Sequence, residues 1–399
     1  MHQSEDKFTR LFLIHCFIGD EGLLRSLKGF DGELLPLDIT DETIPALLCQ
    51  DLGGCFKAGD ARVNEQQSLA SFHSLFLREH NRIARRLKII NNQWDGERVY
   101  QETRRILGAV FQKITFYDYL PLVLGPTPLP KYKGYDKNVN PGISNAFATS
   151  AYRYGHSQIR PEFELLNKNF DPIAPAINLR FMFFNNTVVQ KGGIEPILFG
   201  LISNLSEKVD RTLSSGITKH LFERDGSPGQ NLAALNIQRS RDHGIPGYNY
   251  FRKFCGLSDA KTFEDTKCEI KDPQNREILS RLYNNNPNLA ELWVAGLAEK
   301  PVPGGSVGPT FKCVIADQFR RVRDGDRFYY RGKDVFPVNQ LHEIEKASLS
   351  RIYCDNLKSI VSIQKDAFKT PTDIEPRKEC SGIPEMDLCA WKGNMYECL

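Results

Sequence analysis

Three short segments of this 399-residue chain each set two functional side chains three residues apart, a spacing that puts both on one face of a helix. Gly59 to Gln66 (GDARVNEQ) presents Arg62 with Glu65. Arg153 to His156 (RYGH) presents Arg153 with His156, and Gly155 leaves open space beside the imidazole. Leu235 to Gly244 (LNIQRSRDHG) presents Asn236 with Arg239. A neutral imidazole can ligate a transition metal. A guanidinium is a permanent cation suited to carboxylates or to charge that develops during a reaction. An amide can hold one ring nitrogen of a histidine while the other does chemistry. Taken singly, each residue has a plainer reading. A helical histidine is usually a satisfied structural residue, charges at this spacing are usually a solvated helix face, and Asn236 reads equally as a cap. Composition and spacing alone lead to a helical protein with room for a cofactor pocket.

The elements that must position these residues are mostly helices. Leu69, Phe72, Phe76, Ile83, Leu87 and Ile90 form one apolar stripe, with Arg78, Glu79, Arg82, Arg85 and Arg86 mostly off it. His73 and His80 share a face of that helix and read as packing or hydrogen-bonding residues. Val99, Ile106, Val110 and Ile114 mark a second helix, which Pro121 and the run Gly125 to Pro130 are expected to end. A third helix is expected from about Ile143 to Ile159 and would carry His156. Further helical patterns run from Glu195 to Leu205, Val209 to Phe222, Pro273 to Asn284, Val307 to Val322 and Asn339 to Asp355. Strand signals are few and short, such as Phe328-Tyr329-Tyr330. The pattern predicts a mainly α single domain with long loops. Residues 24–391 would hold it, after an irregular segment 1–23 and before a tail 392–399.

Composition excludes several classes. A net charge of +3 is too small and dispersed for a nucleic-acid binder. No stretch approaches the roughly 18 consecutive apolar residues of a membrane span, and Leu11 to Ile18 lacks the form of a signal peptide. Ten cysteines without a CxxC pair favour a disulfide-bearing extracytosolic protein over a zinc site. The sequons at Asn185 and Asn204 point to the same secreted glycoprotein class. Asp324-Gly325-Asp326 has too few acidic groups for a calcium loop.

Longer blocks carry a resemblance. CFKAGDARVNEQQSLASFHSLFLREHNRIARRL (Cys55 to Leu87), WDGERVYQETRRILGAVFQKITFYDYLPLVLG (Trp94 to Gly125) and AYRYGHSQI (Ala151 to Ile159) are similar to the animal haem peroxidase family. ALNIQRSRDHGIPGYNYFRKFCGL (Ala234 to Leu257), QFRRVRDGDRFYY (Gln318 to Tyr330) and RIYCDN (Arg351 to Asn356) continue it in family order. The resemblance runs from about Leu24 to Trp391, and the VNEQ wording and C-terminal part resemble the peroxidasin branch most.

The resemblance implies a single animal haem peroxidase-type helical domain. It implies a haem cofactor whose iron is held by His156, with Asn236 accepting the proton of the other ring nitrogen through its side-chain carbonyl. Arg153 and Arg239 match residues near the haem propionates. Arg62 matches the catalytic arginine above the haem, and Glu65 a carboxylate that forms an ester to a haem methyl. Gln66 stands where myeloperoxidase has a haem-bonded methionine, so that link would be absent. Disulfides are implied for Cys49 with Cys55, Cys255 with Cys313 and Cys354 with Cys380. The implied activity is an oxidoreductase that reduces hydrogen peroxide while oxidising halides or small aromatic donors, in the response to oxidative stress. Extracellular matrix partners and a secreted location would go with it.

One departure bears on mechanism. The family places a distal histidine in an Asp-His-Asp motif well upstream of its catalytic arginine, and the 61 residues before Arg62 contain none. His2 and His15 do not match it. The family's calcium loop, second haem ester and distal-face helix are expected to be missing with it, as in an N-terminally truncated chain. An alternative is therefore a catalytically impaired peroxidase-like module with a matrix-binding or assembly role. A fatty-acid oxygenase of the same superfamily is a third reading.

Overall fold

The computed structural model describes residues 19–37, 49, 54–126, 128–224 and 226–393. Helices dominate. In chain order they are α1 (Gln67–Ile90), α2 (Gly96–Lys113), α3 (Leu120–Leu124), α4 (Asn145–Thr149), α5 (Thr187–Gly192), α6 (Glu195–Ser203) and α7 (Ser215–Thr218). They continue with α8 (Leu232–Asp242), α9 (Tyr248–Phe254), α10 (Pro273–Leu282), α11 (Leu292–Ala298), α12 (Pro309–Asp324), α13 (Val338–Ile344) and α14 (Leu349–Asn356). The strands are β1 (Leu27–Lys28), β2 (Glu33–Leu34), β3 (Glu162–Leu166), β4 (Pro172–Asn178), β5 (Ser362–Ile363) and β6 (Lys378–Glu379), paired as three antiparallel two-stranded ribbons. The mainly α class expected from the sequence is what the chain adopts.

Two compact units divide the chain. The first takes residues up to Thr115, Glu162–Leu205 and everything from Phe336; the second takes Phe116–Pro161 and Ser206–Val335. In the first unit α1 is the central element. Gln66 caps it, its side chain accepting from Ser68 N at 2.7 Å, and Asn91 ends it. The apolar stripe packs as its period dictates, with the Phe76 ring 5.1 Å from Phe111 of α2. The charged residues off that stripe divide: Arg85 and Arg86 are exposed. Arg78 and Glu79 are buried, because each finds partners: Arg78 bonds Asp31 at 2.6 Å, and Glu79 accepts from Arg82 at 2.8 Å and Asn356 at 2.7 Å. Buried polar groups persist only when so satisfied. His80 takes the expected packing role, its Nε2 3.1 Å from Gly22 O. The expected segment 1–23 ends in a turn at Gly19–Leu23 that lies against α1 and α2; residues 1–18 of it, and 394–399 of the expected tail, lie outside the described residues.

In the second unit one core joins Leu120, Leu124, Tyr154, Tyr248, Trp293, Phe311, Ile315 and Phe319. Several expectations fail here for local reasons. Pro121 does not end a helix; it sits in the first turn of α3, where its missing N–H costs nothing, and Gly125 at φ +92° ends the element. The helix expected over Ile143 to Ile159 splits at Ser150 (φ −134°, ψ −76°) into α4 and a 3-10 helix, Ala151–Gln158. Phe328-Tyr329-Tyr330 forms turns rather than a strand, since both tyrosines are buried in aromatic contacts and have no alternating exposed partner. Val209 to Phe222 keeps only α7, and Asn339 to Asp355 divides into α13 and α14 in the first unit.

The pairs Cys49–Cys55, Cys255–Cys313 and Cys354–Cys380 are disulfide-bonded, as the resemblance implied. Cys268 is a free thiol; Cys16 and Cys398 lie outside the described residues. Among the described residues no helix is long and apolar enough to cross a membrane.

Candidate functional site

His156 rides on the 3-10 helix Ala151–Gln158 of the second unit. Side chains at i and i+3 eclipse in such a helix, so Arg153 and His156 stand one above the other more strictly than an α-helix would set them. Asn236 comes from α8, eighty residues later, and is fully buried. Asn231 starts α8 by accepting from Ala234 N at 3.1 Å, which fixes the turn that carries Asn236. The Asn236 amide nitrogen lies 2.8 Å from His156 Nδ1, and its carbonyl oxygen accepts from Arg153 Nη1 at 3.0 Å. Arg153 is itself anchored, Nε donating to Ala148 O at 3.0 Å. The hydroxyls of Ser150 and Ser240, 2.8 Å apart, tie the start of the 3-10 helix to α8. Trp293 Nε1 donates to Arg153 O at 3.1 Å.

This contact joins the expected residues with the amide turned the other way from the expectation. A guanidinium only donates, so the oxygen of Asn236 must face Arg153 and the NH2 must face the ring. The imidazole then accepts at Nδ1 and carries its proton on Nε2. Burial, with Arg153 beside it, pushes the His156 pKa down to about 4, so the ring is neutral at ordinary pH. Gly155 has no heavy atom near the place a Cβ would take. Iron needs the lone pair of Nε2, so an iron porphyrin approaching through the open space at Gly155 requires the ring proton on Nδ1 and the Asn236 amide turned over to accept it. Arg239 lies one turn along α8 from Asn236; it is half exposed and 3.9 Å from Asp242, so it is available to a carboxylate at the surface.

Arg62 and Glu65 belong to the first unit. The 3-10 turn Ala61–Asn64 is capped by Asp60, whose carboxylate accepts from Arg62 N at 2.8 Å. The same carboxylate takes the Arg62 side chain, Nε at 3.0 Å and Nη2 at 2.5 Å. Asp60 is held below the usual carboxylate range by that guanidinium. Glu65 is pushed the other way by burial, which favours the protonated acid. Glu65 O also accepts from Phe184 N at 3.2 Å. The sequence reading did not assign Asp60, Ser150, Ser240 or Trp293. Only Asp60 left a signal, as an N-cap two residues before Arg62.

Among the described residues no three His, Cys, Asp or Glu side chains cluster as a metal site. The chain matches the family described as animal haem peroxidase over residues 16–368. It is 45% identical over 351 residues to a peroxidasin homolog of Mus musculus, covering 86% of this chain and 24% of that protein. It is 42% identical over 346 residues to lactoperoxidase of Mesocricetus auratus, covering 84% of this chain and 48% of that protein. The chain thus spans about a quarter of the peroxidasin relatives and about half of the lactoperoxidase. Peroxidase A of Dictyostelium discoideum has a similar structure, with a TM-score of 0.81 and 33% identity over 91% of this chain and 70% of that one. A fatty acid alpha-dioxygenase of Arabidopsis thaliana shares the fold at TM-score 0.71 and 18% identity, over 94% of this chain and 65% of that one. With nine-tenths of its length matched in family order and the fold shared with a solved peroxidase, the chain belongs to the animal haem peroxidase family.

Proposed function

We propose that the chain is a haem-dependent peroxidase module that reduces hydrogen peroxide and oxidises halides or small aromatic donors. The observation that carries this reading is the pair His156 Nδ1 and Asn236 Nδ2, 2.8 Å apart beside the open space at Gly155. His156 Nε2 would hold the iron, and Arg153 and Arg239 would take the propionates through charge-assisted bonds. Haem, when bound, supplies the redox chemistry. The protein's part is to keep the ligand neutral, to fix its ring from behind and to set cations where negative charge develops. Arg62, held by Asp60, would polarise the bound peroxide. Glu65, whose carboxyl burial pushes upward, matches the position of ester formation with a haem methyl.

The secreted, oxidative-stress setting is supported by three disulfides and by its peroxidase relatives. The sequon residues Asn185 and Asn204 are partly exposed and would carry glycans. Matrix partners belong to the same reading. The peroxidase domain in it runs to residue 391 and takes in the turn at 19–23, with 392–399 as a tail.

The test is reconstitution with haem. The wild type should give a Soret band and oxidise guaiacol with peroxide, and His156→Ala should lose both. A Soret band without turnover would favour the impaired module. Failure of the wild type to take up haem would end the proposal.

A further inference from the structure

We propose that two hydrogen-bonded phenol pairs in the second unit, Tyr154 with Tyr119 and Tyr329 with Tyr117, whose members Tyr119 and Tyr117 share one turn, form a second donor site. There an exposed tyrosine would oxidise phenolic groups, such as tyrosine side chains of other polypeptides, that are too large to reach the haem. The proposal rests on the peroxidase reading above for its oxidant.

Tyr154 lies two residues before His156 on the same 3-10 helix and is buried. Its hydroxyl is 2.8 Å from that of Tyr119. Tyr119 closes a π-helical turn, Ile114–Tyr119, that inserts between α2 and α3. Such turns are rare and cost backbone regularity, so they persist mostly where they position something. This one places Phe116, Tyr117 and Tyr119 together. Tyr117 reaches the surface at 38% exposure. Its hydroxyl accepts from the buried Tyr329 at 3.5 Å, and the Arg331 guanidinium sits 4.1 Å over its ring. Tyr329 in turn touches Phe116, Tyr330 and Tyr132, with ring centroids 5.4, 5.1 and 4.8 Å away.

A core needs rings here, and phenylalanine would fill the same space. The hydroxyls are what packing does not explain, since each buried phenol must find a partner or cost free energy. They are also what one-electron oxidation needs. Burial holds Tyr119 well above the usual phenol range, so it cannot lose an electron from a standing phenolate. Its proton must leave with the electron, and the short bond to Tyr154 gives that proton an acceptor oxygen. Electron transfer weakens steeply with distance, and the path asks for one step between the two pairs, from Tyr119 to Tyr117 within the Ile114–Tyr119 turn. In the balance, one hydrogen peroxide reduced at the haem to two waters takes up two electrons and two protons. Two phenolic O–H groups supply them and become two phenoxyl radicals. The hole at Tyr117 is filled by a hydrogen atom from the external phenol.

The test uses the haem-loaded full chain, hydrogen peroxide and a nitroso spin trap, with adducts mapped by peptide mass spectrometry. Guaiacol oxidation and dityrosine formation on a tyrosine-bearing polypeptide are read in the same samples. The expected result is an adduct on Tyr117 in the wild type and its several-fold reduction in Tyr119→Phe. In Tyr117→Phe the ratio of polypeptide to guaiacol oxidation should fall several-fold. Guaiacol turnover without an adduct on Tyr117, or with a polypeptide ratio unchanged in Tyr117→Phe, overturns the second site alone. Absence of guaiacol turnover overturns the peroxidase reading and this site with it. Both substitutions remove only a hydroxyl, and Tyr117 is at the surface, so a folding failure does not mask the result.

Discussion

Asn236 meets His156 with its amide nitrogen, 2.8 Å from Nδ1, because its oxygen is committed to Arg153 at 3.0 Å. The two residues are eighty positions apart in sequence, and their contact determines which imidazole nitrogen is presented outward.

Replacing Asn236 by Leu should therefore weaken haem uptake by roughly 10- to 100-fold, the usual cost of losing a partner behind a ligand. Titration of the Soret band against haem measures it. An affinity equal to the wild type would remove Asn236 from the site.

The ligand should stay competent in acid. With His156 pushed to about 4, protons barely compete with iron at pH 5. A histidine at the ordinary value of 6.5 would lose roughly 30-fold in affinity there. Haem titrations at pH 7 and pH 5 should agree within a few-fold, and a large loss at pH 5 would contradict the buried placement of the ring.

Stability should fall in mild acid. Burial pushes His73, His80 and His156 each to about 4, so the folded chain keeps them neutral while the unfolded chain takes up protons below about pH 6.5. Their contribution is present above that value and is lost as pH falls toward 4. Glu299 acts oppositely: burial raises it to about 7, so its contribution is present at low pH and fades as pH rises through 7. Three histidines outweigh one carboxyl, and urea midpoints between pH 6.5 and 4 should decrease. A flat or rising midpoint would count against the burial of these rings.

In the first unit, Asp31→Ala should be strongly destabilising. Asp31 bonds the buried Arg78 at 2.6 Å and accepts from Glu195 N at 2.8 Å. Removing it leaves an uncompensated buried cation, at a cost of about 3–5 kcal/mol. Equilibrium denaturation checks this, and a loss under 1 kcal/mol, on the order of a surface pair, would refute it.

Asp60→Ala should cost about 1 kcal/mol through the lost cap and release the Arg62 side chain. With haem bound, peroxide turnover should fall more than stability does. Equal turnover in this variant would show that Asp60 does not position the arginine.

Much of the helical frame was readable because local patterns dictate it. The stripe from Leu69 to Ile90 predicted α1 to within two residues. Where sequence reading failed, tertiary contacts overrode the local pattern. The run through His156 looks like one helix from its periodicity, yet Ser150 breaks it and bonds Ser240 in α8. Nor does any local pattern show that Arg78 and Glu79 of α1 are buried, since their partners Asp31 and Asn356 come from elsewhere in the chain.

By itself the sequence determined the helical class and the family, because these follow from residue types, period and order. Only the tertiary structure decided which way the Asn236 amide faces and what holds Arg62. Those depend on distances between segments far apart in the chain, and on a donor-only guanidinium that no spacing rule brings to Asn236.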